Sequence, residues 1–366
     1  MARTQARTRH LHAFAIGLVA VLATAPAVAG FVQTNLVSDI PGFAAFTDPN
    51  LKNPWGIAKS GGSPFWVSDQ VTGKSTLYNT AGQPQALVVT IPGAGDPVGP
   101  TGAVFNSTAS DFALTSGGKA TFLFANLNGT IEGWNGAQGT LAQVVATIPG
   151  AVYTGLALGN NGSGNFLYAA NSSGNRIDVF DRLFAQVFLP GAFTDPNLPA
   201  GFTVYNVQEV GGVLLVTYEN ETSGGGVVDA FDFNGNLLRR VSSNADGGPL
   251  ESPWGVTLAP GTFGQFGGAL LVGNEEDGRI SAFNFLTGAF LGQLLDNNGT
   301  PIANTGLWGL TFGNGGNGGD PAKLYFAAGI NDEVNGLFGS ITAVPEPGVL
   351  ALLGIGFAGF GFRRRT

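Results

Sequence analysis

Cysteine is absent from the 366 residues, and the two histidines, His10 and His12, lie close to the N-terminus. The rest of the chain therefore offers no disulfide, cysteine nucleophile, histidine-based triad or histidine or cysteine metal site. A bound metal would have to be a hard ion with oxygen ligands, such as calcium. Because no disulfide is possible, burial of apolar surface must stabilise the fold, and a body of about 315 residues can bury enough for that.

Basic residues are also scarce. Six of the sixteen lysines and arginines lie in the two terminal segments, so that residues 30–344 contain ten basic residues against twenty-three acidic ones, a balance of −13. An acidic surface repels phosphate backbones and anionic lipids, which argues against a nucleic-acid partner. Cations and neutral sugars are compatible partners.

The first 29 residues have the pattern of a secretory signal peptide. Three arginines precede an apolar run and a small-x-small pattern: Arg3, Arg7, Arg9, residues 13–25, Ala27 and Ala29. Signal peptidase is expected to cut before Gly30. The apolar run is shorter than the ~20 residues of a spanning helix, so a retained anchor is the weaker alternative.

Glycine is abundant, at 59 residues, and only 11% of residues are charged, which favours short strands joined by tight turns. An apolar strand, a turn and a strand ending in an aromatic residue plus Asn or Asp recur along the chain. The aromatic positions are spaced by 46 to 56 residues: Tyr78, Trp134, Phe180, Phe231 and Phe283. Repeats of this length and composition are typical of four-stranded β-propeller blades.

Two further features set the number of blades at six. A sixth strand copy lies at residues 324–328, and the segment Phe-Thr-Asp-Pro-Asn-Leu occurs at both 46–51 and 193–198, a shift of 147 residues or three units of 49. The alternating segment 31–38 is predicted to complete the sixth blade and close the ring. We therefore predict an all-β, six-bladed propeller. A β-sandwich pair or a β-helix is the alternative, although a sandwich does not predict a 50-residue repeat.

Residues 345–366 form a three-part tail: Pro345, Glu346 and Pro347, an apolar run, then Arg363, Arg364 and Arg365. This tail resembles the PEP-CTERM sorting signal of Gram-negative-type bacteria. About fourteen apolar residues at ~1.5 Å each give ~21 Å of helix, short of the ~30 Å hydrocarbon core, so the segment suits transient inner-membrane anchoring. By the positive-inside rule the arginines stay cytoplasmic.

The resemblance implies recognition and cleavage by an exosortase, followed by transfer to the cell envelope, cell surface or extracellular matrix. Proteins with this tail are commonly linked to exopolysaccharide and biofilm. An uncleaved membrane tail is the alternative. The predicted organisation is a signal peptide at 1–29, a propeller at 30–344 and a sorting signal at 345–366, with hydrophobic targeting helices at both ends.

The body also resembles a propeller family found with this tail and, more distantly, the NHL and gluconolactonase-like six-bladed propellers. The resemblance implies a fold more strongly than an activity.

In a propeller, the loop before each innermost strand and the second turn of each blade emerge on the same face. Acidic and amide side chains at these turns are candidate calcium ligands: Asp69, Asn126, Asn171, Glu219, Asn274 and Glu275. Asn331 lies at the equivalent turn of the last blade. The strongest candidates are the acidic residues that add charge to these turns: Glu219, Glu221, Glu275, Glu276, Asp277, Asp332 and Glu333. Three tryptophans at strand entries are candidates for contact with a sugar: Trp55, Trp254 and Trp308. The alternative is structural, because Asn and Asp also cap their own turns and Trp-Gly steps pack in cores.

Two functions remain open at this stage. The first is a non-enzymatic binding or scaffolding module for a glycan or a surface protein, with no catalytic residue. The second is a calcium-dependent lactonase- or esterase-like hydrolase with oxygen ligands at the channel mouth. A purely structural spacer is a third possibility.

Overall fold

The computed structural model describes residues 30–93, 95–243 and 249–344, all within one compact unit. The predicted signal peptide and sorting tail, with their targeting helices, lie outside the described residues. In the described ranges no helix has the length and apolarity to cross a membrane.

The strands form six sheets, one per blade. Blade 1 contains β3 Pro54–Ala58, β4 Phe65–Asp69, β5 Lys74–Tyr78 and β6 Val89–Thr90. Blade 2 contains β7 Pro100–Phe105, β8 Phe122–Asn126, β9 Thr130–Trp134 and β10 Gln143–Thr147. Blade 3 contains β11 Tyr153–Asn160, β12 Asn165–Asn171, β13 Arg176–Phe180 and β14 Gln186–Val187.

Blade 4 contains β15 Thr203–Val210, β16 Val213–Glu219, β17 Gly226–Phe231 and β18 Leu237–Ser243. Blade 5 contains β19 Pro253–Leu258, β20 Leu270–Asn274, β21 Ile280–Phe283 and β22 Phe290–Gln293. Blade 6 combines β23 Leu307–Phe312, β24 Leu324–Ala328 and β25 Leu337–Ala343 with β1 Phe31–Ser38 and β2 Phe46–Thr47. Two short 3-10 helices cover Gly136–Gln138 and Gly264–Phe266. The predicted six-bladed, all-β propeller is confirmed.

The N-terminal strand closes the ring. β1 pairs antiparallel with β25 from Phe31 opposite Ala343 to Ser38 opposite Leu337. The Gly30 carbonyl accepts a hydrogen bond of 2.9 Å from the Val344 N–H, so the first and last described residues lie side by side. This agrees with the predicted role of segment 31–38, while the short parallel strand β2 beside it was not predicted.

The core lies in layers between neighbouring blades. Successive strand residues point to opposite faces, so Phe65 and Val67 of β4 pack toward blade 6, while Trp66 between them packs toward blade 2. Both faces are covered, which is why the blade strands are continuous apolar runs rather than alternating ones.

Glycine at the start of the inner strands lets neighbouring blades approach closely. A Cβ atom on Gly56 would lie 2.5 Å from the Thr101 carbonyl oxygen of blade 2, and one on Gly309 would lie 2.5 Å from the Trp55 carbonyl oxygen of blade 1. No side chain fits at such distances. The Trp-Gly steps of the sequence therefore have a structural role, since the glycine permits close packing around the axis.

Candidate functional site

Four aromatic side chains fill the middle of the central channel: Trp55, Tyr205, Trp254 and Trp308, here called the aromatic plug. They come from the inner strands of blades 1, 4, 5 and 6, and none is more than 8% exposed. The rings of Trp55 and Trp308 stack at 3.6 Å between centroids with an angle of 13°, and Trp254 meets both edge-on at 5.9 Å. The structure thus brings the three predicted tryptophans together, largely as core.

Two of the indole N–H groups are hydrogen-bonded. Trp254 donates to the Thr154 carbonyl oxygen and Trp308 to the Asn53 side-chain oxygen, each at 2.9 Å. The Trp55 indole nitrogen is buried without a partner. An unpaired buried donor is costly, and this one lies at the base of a cavity where a ligand oxygen could accept from it.

A cavity of about 600 Å³ lies above the plug, on the face that carries the second turns of the blades. Its base includes Trp55, Tyr205 and Trp308, and its wall holds five carboxyl side chains: Glu219, Glu221, Glu275, Glu276 and Glu333. None of the residues that line this acidic pocket is Lys or Arg. A second cavity, of about 320 Å³, lies below the plug and is lined by Trp254, Lys59 and Glu209 among others.

Glu219 is the most enclosed of the five carboxyl groups. It ends β16 and is 7% exposed. Burial, together with the nearby charges of Glu221 and Glu275, raises its pKa to about 8, although a hydrogen bond with Ser252 acts in the opposite direction. Much of the Glu219 population is therefore protonated at neutral pH.

Glu275 and Glu333 face the same pocket. Burial, and then the charges of Glu333 and Glu276, raises the pKa of Glu275 to about 7. Burial also raises the pKa of Glu333, and a hydrogen bond of 2.8 Å donated by the Asn53 amide partly offsets this. The raised pKa values mean that a cation in the pocket would draw the carboxyl groups into their ionised form.

An unusual turn presents Glu333. Asn331, Asp332 and Glu333 have φ angles of 56°, 53° and 62°, in the left-handed region that non-glycine residues seldom adopt. Three such residues in succession store strain, which is typical of binding and catalytic sites. The Glu333 N–H is held by the Gly329 carbonyl oxygen at 3.1 Å. The fold therefore maintains a strained turn whose third residue lines the acidic pocket.

Of the six predicted calcium ligands at the blade turns, Glu219 and Glu275 line the acidic pocket. Of the further acidic candidates, Glu221, Glu276 and Glu333 also line it, whereas Asp277 and Asp332 do not. Asn126 accepts a hydrogen bond from the Gly99 N–H at 2.9 Å, Asn171 accepts one from the Gly174 N–H at 3.0 Å, and Asn274 donates to the Pro249 carbonyl oxygen at 2.9 Å. These amides organise turns and strand entries. Over residues 30–93, 95–243 and 249–344, no group of three or more Asp or Glu side chains is placed to hold one metal ion.

Asp69, the sixth candidate, lies away from the pocket. It is fully buried, and burial raises its pKa well above the usual value, although the neighbouring Thr76 acts in the opposite direction. Neither carboxyl oxygen makes a hydrogen bond of good geometry.

Sequence reasoning missed three buried carboxyl groups in the third strands of blades 2 to 4: Glu132, Asp178 and Asp229. Each lies two residues before the recurring aromatic position, which is the signal that could have found them. Burial raises the pKa of Glu132 to about 8 and that of Asp229 to about 7. Asp178 is instead held by the Arg176 guanidinium at 2.6 Å.

The geometry is that of a six-bladed β-propeller, and it resembles gluconolactonase-like structures. It is similar to a streptogramin B lyase structure (TM-score 0.53, 13% identity, 88% of this chain and 100% of the other) and to a putative gluconolactonase (TM-score 0.52, 14% identity, 87% and 93%). At these identities the likeness shows the fold alone.

Sequence relatives define the family. The chain belongs to the same family as "Uncharacterized protein R648" of Acanthamoeba polyphaga mimivirus, with 32% identity over 329 residues, 84% of this chain and 78% of the relative. "Uncharacterized protein L690" of the same virus is 30% identical over 338 residues, 86% of each chain. The names of these relatives assign no activity, whereas the structural neighbours include enzymes.

The C-terminal tail carries the PEP-CTERM protein-sorting motif, matched over residues 343–365. The motif implies processing by an exosortase and suggests an exported, surface-sorted protein.

Proposed function

We propose that this protein is a binding module of the cell surface or extracellular matrix, and that its acidic pocket binds a glycan carrying amino groups. The observation that carries the proposal is the pocket itself. Five glutamates from three consecutive blades surround an aromatic base, with no basic residue in the lining. The sorting motif supports a location where extracellular polysaccharide is encountered.

The chemistry of the pocket suits an amino sugar. Burial, and then repulsion among the glutamates, raises the pKa values of Glu219 and Glu275, and the ammonium group would offset that repulsion. Aromatic rings pack against the C–H faces of sugars and attract cations. A volume of about 600 Å³ lies within the usual range for ligand pockets and accommodates a short oligosaccharide segment.

We further propose that removal of residues 1–29 and cleavage near residues 345–347 leave the propeller as the mature protein. The hydrogen bond between Gly30 and Val344 supports this, because the ring is complete between those residues. Signal peptidase and exosortase are the processing partners in this scheme.

Calorimetric titration with glucosamine oligomers tests the proposal. We expect the exported protein to bind the deacetylated oligomer and to bind the N-acetylated oligomer of equal length at least tenfold more weakly, because acetylation removes the charge. Glu275→Gln should weaken binding of the deacetylated oligomer by about tenfold, the loss of one favourable charge contact.

Glu209→Gln is the matched control. Glu209 is an exposed carboxylate at the other end of the channel, where it accepts a hydrogen bond from the Gly212 N–H. Its replacement should leave the affinity unchanged. Equal affinity for the two oligomers, or none for either, would refute the proposal.

A hydrolase is the second candidate function, favoured by the pKa values of about 8 and about 7 for Glu219 and Glu275. Carboxyl groups poised near neutral pH can act as general acid and base. In the calcium-dependent form of this hypothesis, the ion at the channel mouth would need carbonyl, hydroxyl or water oxygens besides the carboxyl groups, because the described residues contain no group of three carboxylates placed to hold a metal.

If this second function exists, the exported protein should hydrolyse a lactone or ester, and Glu219→Gln should lower kcat at least 100-fold. Chelation should leave the rate unchanged if the carboxyl pair acts without a metal and abolish it if calcium takes part. No turnover across a lactone and ester panel would exclude this candidate.

A further inference from the structure

The repeated segment at 46–51 and 193–198 folds in the same way in both copies. Asp48 accepts a hydrogen bond from the Asn50 N–H at 2.9 Å, and Asp195 accepts one from the Asn197 N–H at 2.8 Å. In each copy the second carboxyl oxygen points into the protein. Asp48 accepts there from the Tyr78 hydroxyl at 3.0 Å, and Asp195 from the Arg240 guanidinium. The two copies therefore present an equivalent carboxylate to different surroundings.

In the second copy the chain supplies the counter-charge. Arg240 donates to Asp195 and also, at 3.2 Å, to Asp229. These two carboxylate side chains are 2% and 0% exposed. One guanidinium thus bridges two buried carboxylates, which is the arrangement that makes burial of such a pair tolerable.

In the first copy the second carboxylate is Asp69, and no such bridge exists. No ion pair among the described residues involves Asp48 or Asp69. Lys74 faces Asp69 across the strand pair, but its ammonium group donates to the Asn50 side-chain oxygen at 2.7 Å. The two buried carboxyl groups are close enough for the charge of Asp48 to raise the pKa of Asp69, and neither has a cation in contact.

The surrounding atoms are oxygens without partners. Both carboxyl oxygens of Asp69 and the hydroxyl of Thr76, which is 1% exposed, are buried and make no hydrogen bond of good geometry, although Thr76 lies close enough to lower the pKa of Asp69. In the β4–β5 register Asp69, Thr76 and Tyr78 belong to the same face of blade 1, the face that packs on blade 6. Buried polar groups are normally satisfied, so unpaired oxygens beside two carboxylates indicate an absent partner of positive charge.

We propose that a calcium ion binds between blades 1 and 6, to oxygens of Asp48, Asp69, Thr76 and Tyr78, in the role that Arg240 has in the second copy of the motif. Carboxylate and hydroxyl oxygens are the ligands of a hard cation, and a charge of +2 balances the two carboxylates. The ion lies at the seam where the N-terminal strand closes the ring and is independent of the acidic pocket, which neither aspartate lines.

Thermal unfolding of the exported protein, stripped of metal by a chelator and then supplied with calcium, tests this site. At a calcium concentration of 100 times Kd we expect the midpoint to rise by about 4 °C. Asp48→Asn and Asp69→Asn should each reduce the rise to less than about 1 °C. Without calcium, Asp69→Asn should be at least as stable as the parent protein, because it removes a buried carboxyl group that has no cation in contact and whose ionisation burial makes unfavourable.

Asp195→Asn is the matched control, since Asp195 has the same place in the motif but is paired with Arg240. This variant should retain the calcium-induced rise even if its basal midpoint is lower. Terbium supplies a second readout, because Tyr78 can sensitise its luminescence, and Asp69→Asn should abolish the Tyr78-sensitised emission.

Three results would overturn the proposal: no calcium-induced rise in the parent protein, a full rise in Asp69→Asn, or an equal loss in Asp195→Asn. Loss of the rise in Glu275→Gln with retention in Asp69→Asn would place the ion in the acidic pocket instead. Failure of the amino-sugar binding test leaves this outcome untouched, because the two sites share no residue.

Discussion

The free energy of unfolding of this propeller should fall by about 3 kcal/mol or more as the pH rises from 5 to 8 in the presence of a chelator. Burial raises the pKa of Glu132 and Glu219 to about 8, and of Asp229 and Glu275 to about 7. The ordinary values are 4.5 for Glu and 3.8 for Asp. At pH values between the ordinary pKa of the unfolded chain and the raised pKa of the folded protein, these carboxyl groups hold protons in the folded protein that the unfolded chain has released.

The sign follows from this difference in bound protons. A raised carboxyl pKa contributes stability that is complete below the unfolded pKa and is lost as the pH passes the folded value. Carboxyl groups with lowered pKa values, such as Asp39 and Asp296, change the free energy of unfolding only below about pH 4. Burial lowers the pKa of Lys59 to about 8, so its effect begins above that pH and has the opposite sign. The window from pH 5 to 8 therefore isolates the buried carboxyl groups.

Urea unfolding at several pH values measures the effect. Glu132→Gln and Glu219→Gln should each flatten the decline, and the exposed control Glu209→Gln should leave its slope unchanged. A stability that rises from pH 5 to pH 8 would mean that these carboxyl groups are ionised in the folded protein, contrary to this account.

Trp308→Ala should destabilise the propeller by about 3–5 kcal/mol, the usual cost of removing a buried aromatic side chain. Trp308 is 1% exposed, stacks on Trp55 and donates to Asn53, which in turn holds Glu333. Its loss removes the centre of the aromatic plug and joins the cavities above and below. Binding in the acidic pocket should weaken with it, since both the base and the Asn53–Glu333 contact are disturbed.

Phe188→Ala is the control for this substitution. Phe188 is also a large aromatic residue but is 88% exposed, so its truncation should change the free energy of unfolding by less than about 0.5 kcal/mol. Urea unfolding of both variants provides the comparison. A loss of less than about 1 kcal/mol in Trp308→Ala would show that the plug contributes little to the ring.

Most of the fold could be predicted from the repeats in the sequence. The five recurring aromatic residues all end the third strand of a blade, from Tyr78 in β5 to Phe283 in β21. These positions could be predicted because equivalent strands of each blade bury equivalent residues. The aromatic residues therefore recur at a regular spacing in the sequence. The contacts among the side chains in the central channel could not be predicted from the sequence. Thr101 and Thr154 hold in blades 2 and 3 the place that tryptophan holds in blades 1, 5 and 6. Only the ring geometry shows that the carbonyl oxygen of Thr154 accepts the hydrogen bond of the Trp254 indole.

Part of the site could also be predicted, because the repeats fix the order of strands and turns. Glu219 and Glu275 could be placed on one face from the turn order alone. Their raised pKa values depend on burial and on Glu221 and Glu333 across the pocket, which the sequence does not state. The buried Glu132 and Asp229 were missed because an acidic residue in a strand is ordinarily expected to face solvent.

The measurement that tests the central claim most directly is calorimetric titration of the deacetylated glucosamine oligomer in two buffers of different ionisation enthalpy at about pH 6, where the amino groups are already charged and Glu219 and Glu275 still hold protons. If a cationic sugar binds beside Glu219 and Glu275, it lowers their pKa values and protons are released, about 0.5 or more per ligand, so the observed heat differs between the buffers. Identical heats in both buffers, or equal binding of the acetylated oligomer, would contradict recognition of a cation by these carboxyl groups.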